Sequence, residues 1–457
     1  MNRKQLAQLL QQKDCTTEPM QQAIDEWFAM YFQQEVTQQE EPCQRLPTLI
    51  VHKLSRSCFG EYQAKSHQPF GDMLLKQIAR VKRKAIQLTL IGGEAWIKPI
   101  LREDGFDFEV MRRDSVLVLA RDANGQAIDI ASGCEFFKEE TRYAFIERRI
   151  QTPQGVRIEN RLFQYLEKRE KAVEISLNQI EEYAALSPEV LLPKIEGLGL
   201  IWLHNPMENC VDGSGDSVSI YAPAVGLIRA INQNERQLSR EFEHGESRVF
   251  ASVDLLRRNG FGHLELPKGL FVGLDDDPQT TGITIYSPTL RQESFLQRKK
   301  EYLRNLESLI GLKRGLLSEV DSLQRTAAEI TGSSGEYSLT IREIQQIWED
   351  GLEQAIKLCT KLADLYKIPK AVQLSFEKDI SICWGDGIFS TSESRWQELV
   401  QMVQLGLMKP EVALGERFGL PYDTKEQRKK IFERYIQKEQ EDQQIERTAD
   451  STTTTTD

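Results

Sequence analysis

Between residues 336 and 366 the sequence repeats apolar residues at three- and four-residue intervals. These are Ile341, Ile344, Trp348, Leu352, Ala355, Cys359, Leu362 and Tyr366. That spacing lines one face of an α-helix. At 1.5 Å per residue the run extends about 45 Å, longer than the usual three turns, so such a helix spans or lines something. Upstream, Thr326 to Ile330 reads as a short helical piece, with Gly332 and Gly335 as interruptions.

The rest of the chain alternates helical and β patterns, which predicts an α+β fold. The first 40 residues read as helical, with a stripe of Ile24, Trp27, Phe28, Tyr31 and Phe32 closed by Pro42 and Pro47. A second helix is predicted over 71–84, carrying Met73, Leu74, Ile78 and Val81. Its basic run of Arg80, Lys82, Arg83 and Lys84 reads as a solvated face. Over 85–165 the runs AIQLTLIG, EAWIKPIL, FDFEVMR and SVLVLARD predict a meandering antiparallel sheet. Its turns are placed at Gly92-Gly93, Asp104-Gly105, Asn124-Gly125 and Pro153–Gly155.

One long helix is predicted over 216–244, capped by Asp216 and stopped by Gly245. Short strands fill 248–287. A further helix runs over 288–310, with Pro288 in its first turn and a stripe of Leu296, Leu303, Leu306 and Ile310. AVQLSF and ISICWGD read as strand and turn. Helices over 393–407 and 409–441 follow, the second broken at Leu420-Pro421. The polar tail beyond Glu441 is expected to be disordered.

Composition narrows the chemistry. The chain has 457 residues, enough for two to four domains or one elongated multi-part subunit. Its net charge of −11 is the reverse of a protein that grips nucleic acid over a broad basic face. No run of 18 apolar residues predicts a membrane span, and the N-terminus lacks an apolar signal core, which places the chain in a cytoplasm. Seven scattered cysteines without a CxxC, and five histidines without an HxxxH, argue against disulfides and a zinc site. No phosphate loop, GxSxG or HExxH occurs. Asp379 and Asp386 are too far apart along an extended segment to share acid–base work. No catalytic residue, metal or cofactor is expected.

Four segments carry a resemblance. WLHNPMENCVDGSGDSVSIYAPAVGLIRAINQNERQLSREFEHGESRVF begins at Trp202 and joins an Asn-Pro loop to a helix. IYSPTLRQESFLQRKKEYLRNLESLIGL opens on Ser-Pro-x-x-Arg. LQRTAAEITGSSGEYSLTIREIQQIWEDGLEQAI carries Thr326, Ala327, Ala328, Glu329, Ile330 and then Tyr337. WGDGIFSTSESRWQELVQMVQLGLMKPEVALGERFGL leads into paired helices. In this order they resemble the portal proteins of tailed bacteriophages, in the SPP1-like or A118-like group from phages of Gram-positive bacteria. Ala328 stands where that family has a second threonine. The similarity covers roughly residues 85–440.

The resemblance implies a portal fold. It divides into an N-terminal arm and β-rich wing at 1–212, a stem helix at 213–247, a small β-rich clip at 248–287 and a second stem helix at 288–311. A tunnel loop at 312–325, a long helix returning to the wing at 326–390, a helical crown at 391–438 and a disordered tail at 439–457 complete it. It implies a homo-oligomeric ring, usually of twelve subunits, at one capsid vertex, through which double-stranded DNA is packaged and ejected. The implied partners are the terminase large subunit, a head–tail adaptor, and the major capsid and scaffolding proteins, with no membrane. Lys313, Arg314, Ser318, Glu319, Asp321, Ser322, Gln324 and Arg325 would form the tunnel loop. Arg257, Arg258, Asn259, Phe261 and His263 would lie in the clip. Two other readings are open. Another head protein, minor or adaptor, would lack the paired stem helices. A metal-dependent nuclease would use Asp275, Asp276 and Asp277.

Overall fold

Short apolar stripes cut by turn residues give the amino-terminal region five helices in the computed structural model. They are α1 (Arg3–Leu10), α2 (Glu18–Phe32), α3 (Leu46–Cys58), α4 (Pro69–Ile78) and α5 (Lys82–Gly92), with strand β1 (Gln63–Ser66) between α3 and α4. The structure describes all residues except 33–42, 103–104, 167–171, 246–247, 252–256, 259–263, 266–282, 287–288, 319–326, 385–391, 419–424 and 436–457. The chain divides into two compact units, Met1–Gly387 and Ile388–Asp457.

The expected single helix over 71–84 is two helices, and AIQLTLIG is helical rather than a strand. In α5, Ala85, Ile86, Leu88, Thr89, Leu90 and Ile91 are all buried. A helical run enclosed on nearly every side, as this one is beyond its exposed first turn, has no clear periodic face to distinguish it from a buried strand. Gly93 therefore ends α5 instead of turning a hairpin, with φ +83 and a Cβ position 2.2 Å from the Ser217 carbonyl oxygen. Pro47 likewise opens α3, in its first turn, where its missing N–H is harmless.

Nine strands follow: β2 (Glu94–Arg102), β3 (Gly105–Arg112), β4 (Val116–Arg121), β5 (Ala127–Lys138), β6 (Thr141–Thr152), β7 (Gly155–Tyr165), β8 (Ala172–Ile175), β9 (Glu189–Pro193) and β10 (Ile201–His204). They form two antiparallel sheets where the sequence suggested one. The first has the order β10-β2-β3. The second runs β4-β5-β6-β7-β8, with β9 also on β7. The Asn124-Gly125 and Pro153–Gly155 turns fall where expected, Gly125 and Gly155 both having positive φ.

Helix α6 (Val225–His244) begins nine residues later than predicted, because Asp216 is engaged elsewhere; Gly245 does follow its end. Four short strands come next: β11 (Arg248–Ala251), β12 (Arg257–Arg258), β13 (Leu264–Glu265) and β14 (Ile283–Tyr286). β11 pairs with β14, and β12 with β13. The chain returns through α7 (Gln292–Ile310). Its predicted start at Pro288 lies outside the described residues, and Arg291 precedes its first turn.

Helix α8 (Ala327–Leu365) is continuous over 39 residues, about 58 Å. Gly332 and Gly335 do not interrupt it. A glycine in a helix costs about 1 kcal/mol, less than a break would. AVQLSF is not a strand; a short helix, α9 (Phe376–Asp379), precedes β15 (Ile380–Cys383), which pairs with β1. The second unit holds α10 (Ser392–Gln404), α11 (Pro410–Phe418) and α12 (Lys425–Tyr435). The break expected at Leu420-Pro421 and the tail lie outside the described residues. No helix among the described residues is long and apolar enough to cross a membrane.

The main core joins α2–α5, the bases of α6 and α7, and α8. Trp348 on α8 is 1% exposed. It packs edge-on to Phe59 at 5.7 Å, and its indole N–H donates to the Tyr62 hydroxyl at 3.1 Å. Tyr62 in turn lies 4.8 Å from Trp384. Trp348→Ala is expected to lower unfolding free energy by about 3–5 kcal/mol, measured by urea denaturation of the full chain.

Candidate functional site

α6 and α7 lie side by side and antiparallel, held at their outer ends by the Arg291–Glu241 pair at 2.8 Å and further in by Lys299–Glu235 at 3.1 Å. Only the inner halves are buried. Ile228, Ile231 and Asn234 on α6, and Leu303, Leu306, Glu307 and Ile310 on α7, face the core. From Glu235 to His244 and from Gln292 to Tyr302 no side chain is buried. Phe242 and Leu296 stand 48% and 46% exposed. The predicted stripe is thus correct at three positions, while Leu296 faces solvent in the single chain. With β11 and β14 beyond them, the two helices form an arm that a single subunit packs only at its base.

That base is organised by a carboxylate. Glu307 is fully buried. It accepts hydrogen bonds from the backbone N–H of Gly315 at 3.0 Å, Leu317 at 2.6 Å and Ser318 at 2.8 Å, and from the Ser318 hydroxyl at 2.9 Å. A ring of N–H donors stabilises a buried anion without a cation in direct contact. Gly311 ends α7 at φ +71, with its would-be Cβ 2.4 Å from the Thr340 hydroxyl, which donates to the Gly311 carbonyl at 3.1 Å. Lys53 on α3 donates to the Leu316 carbonyl at 2.8 Å, and Tyr337 on α8 donates to Ser57 at 2.7 Å or accepts from it. Residues 311–318 are thus welded to α3, α7 and α8.

Of the residues singled out in sequence, Lys313 and Arg314 are exposed on this loop, while Ser318 is buried against Glu307. Glu319, Asp321, Ser322, Gln324 and Arg325 lie outside the described residues. Arg257 and Arg258 are on β12. Asn259, Phe261 and His263 lie outside, as do Asp275, Asp276, Asp277 and Asp386. Among the described residues, no three His, Cys, Asp or Glu side chains are grouped to hold a metal ion. Sequence reasoning missed Glu307, though a signal existed: a carboxylate inside the stripe Leu303, Leu306, Ile310, one turn before a glycine.

A second buried polar cluster was also missed. Glu94 and Arg113 are 0% and 1% exposed and meet at 2.9 Å. Arg121 bonds both Glu94 and Asp216, the latter at 2.6 Å. The Thr16 hydroxyl accepts from Arg113 at 2.6 Å, and the Trp202 indole N–H donates to Glu94 at 2.9 Å. Burial alone pushes the Glu94 carboxyl upward, but Arg121 and Arg113 outweigh it and hold it below the ordinary carboxylate range. A carboxylate clamped this way stays ionised near neutrality and ties β2, β4 and the approach to α6 together.

Beside it, a groove of about 780 Å³ runs between β10 and α8, lined by Trp202, His204, Glu196, Asp350, Gln354 and Lys357 among others. Trp202 and His204 stack at 4.0 Å. The Gln354 amide accepts from the Trp202 N–H at 2.9 Å and donates to its carbonyl at 3.1 Å, closing the outer edge of β10. The groove contains no nucleophile with a paired base.

No family model matches the sequence, and no curated protein does. Among solved structures, one chain from "Neck of native GTA particle computed with C12 symmetry" aligns with 10% sequence identity and a TM-score of 0.47, over 90% of this chain and 96% of that one.

Two outcomes are expected. Glu307→Ala leaves three backbone donors and Ser318 without their acceptor; amide hydrogen exchange at Gly315, Leu317 and Ser318 should accelerate at least tenfold, with about 2–4 kcal/mol lost in denaturation. A depressed folded-state pKa at Glu94 contributes stability above the unfolded value near 4.3 and loses it as pH falls through the folded value. Acid unfolding should therefore steepen below about pH 4, and Glu94→Gln should flatten that limb.

Proposed function

We propose that this chain is a portal subunit: a ring-forming structural protein that channels double-stranded DNA at a capsid vertex. The observation that carries the reading is the α6–α7 arm. Its outer halves have no fully buried side chain within one subunit, yet expose Phe242 and Leu296 along two paired helices. A two-helix arm in water is marginal; neighbouring copies of the same arm would supply the missing contacts. One face of the arm meeting a different face of the next is a heterologous contact, which closes into a ring when the rotation between neighbours divides a full turn. The order of arm, short strands, returning helix, loop and 39-residue helix supports the same reading, as do the four resembling segments.

On this reading α6 and α7 are the stem and β11–β14 belong to the clip, with Arg257 and Arg258 near the docking surface for the terminase motor and later the head–tail adaptor. The loop after α7 faces the channel through Lys313 and Arg314, and Ser318 anchors it. The sheets of β2–β10 belong to the wing, and α10–α12 to the crown. A net charge of −11 suits a ring past which DNA must slide without being held.

Purified protein viewed by negative-stain electron microscopy, with its mass measured in solution, tests the proposal. Rings with a central hole, about twelve copies around, are expected. Phe242→Asp with Leu296→Asp should shift the population to monomer without unfolding it. A compact monomer or dimer from the parent at high concentration, still lacking rings when capsid and scaffolding proteins are co-expressed, would instead favour an adaptor or minor head protein.

A further inference from the structure

The basic run at the α4–α5 junction has an unusual setting. Arg80, Arg83 and Lys84 are exposed, and Lys82 is half-buried. Among the described residues none of the four has a carboxylate partner. Lys76, a turn earlier, is already paired with Asp72 at 2.7 Å. Lys82 is held with its ammonium 4.6 Å from the Tyr62 ring centre and 5.3 Å from that of Phe59. Burial, then the neighbouring Arg83, push its pKa down. The first turn of α5 contains no acidic residue, so the helix dipole adds to the mutual repulsion of these cations. In a chain with 69 acidic and 58 basic residues, four cations within five positions facing no carboxylate are electrostatically frustrated in isolation.

We infer that Arg80, Lys82, Arg83 and Lys84 form a contact site for the phosphate backbone of duplex DNA on the outside of the subunit, separate from the loop carrying Lys313 and Arg314. The choice of a polyphosphate over an acidic protein follows from what surrounds the cations. Protein interfaces are centred on desolvated apolar anchors. Here the neighbouring aromatics are taken up inside the fold: Phe59 is 4% exposed, and Tyr62 lies beneath Lys82. Recognition by charge alone is how phosphate backbones are bound, independent of base sequence. The inference does not depend on ring formation.

Fluorescence anisotropy of a labelled duplex of about 30 base pairs with the full-length protein tests it, over roughly 50 to 200 mM salt. Three or four phosphate contacts predict a log–log salt slope of about −3, an affinity loss of about 60-fold across that range. Neutralising the three exposed cations (Arg80→Gln, Arg83→Gln, Lys84→Gln) should reduce the slope by about two to three and weaken binding at least tenfold at low salt. Arg80→Lys with Arg83→Lys should retain both. Thermal unfolding of each variant separates loss of the site from loss of fold. An unchanged slope in the neutralised protein overturns the inference, as does absence of parent binding at low salt. Tighter binding of an oligoglutamate peptide than of DNA would overturn it in favour of an acidic protein partner. Because rings are counted separately, rings without this binding would sink the site alone, and binding by a protein that forms no rings even with capsid and scaffolding proteins would sink the ring reading alone.

Discussion

Four charges drawn almost wholly out of water hold the larger unit in register. Glu94 begins β2, Arg113 follows β3, Arg121 ends β4 and Asp216 lies in the loop ahead of α6, so the cluster joins two sheets and the approach to the arm. Thr16 brings in the amino-terminal helices and Trp202 brings in β10. Removing a buried ion from water costs several kcal/mol, recovered only when every partner is in place. The cluster therefore tolerates one arrangement of these segments. It also explains why Asp216 cannot cap the following helix: both of its neighbours in the cluster are arginines that need its charge.

From that frame the arm projects with a defined root. Glu307 fixes the turn after α7, Gly311 allows α7 to approach Thr340, and Lys53 and Tyr337 connect the root to α3 and α8. The arm itself is left with polar clasps, Glu241 to Arg291 and Glu235 to Lys299. The Arg291 end of the outer clasp is 71% exposed, and a pair open to water on one side contributes little alone. Phe242 and Leu296 remain exposed along that outer arm.

How legible this was depended on whether periodicity and burial told the same story. The stripe from Ile341 to Leu362 marked α8 because one face is buried and the other is not. The alternation in TRYAFIERRIQT and the turns at Gly125 and Gly155 marked β6 and its neighbours for the same reason. AIQLTLIG failed because α5 is buried on nearly every side from Ala85 onward, and Gly332 and Gly335 misled because a glycine inside a helix costs less than a break. Leu296 was assigned to a stripe that its own subunit does not cover. The polar centres were least visible. Glu307 sits among leucines, and Glu94, Arg113, Arg121 and Asp216 are spread over more than a hundred residues with no motif linking them. Pairing of such groups is a property of topology, which no local pattern encodes.

The Gln354 side chain has a bearing on assembly. A sheet edge with open N–H and C=O groups invites another strand, and any protein that gathers many copies of itself at close range multiplies that risk. β10 is such an edge. By presenting an amide with the same donor and acceptor as a strand residue, α8 occupies the Trp202 position and leaves no vacancy there for a neighbour's backbone. At that position the edge of β10 is closed by a side chain of its own chain.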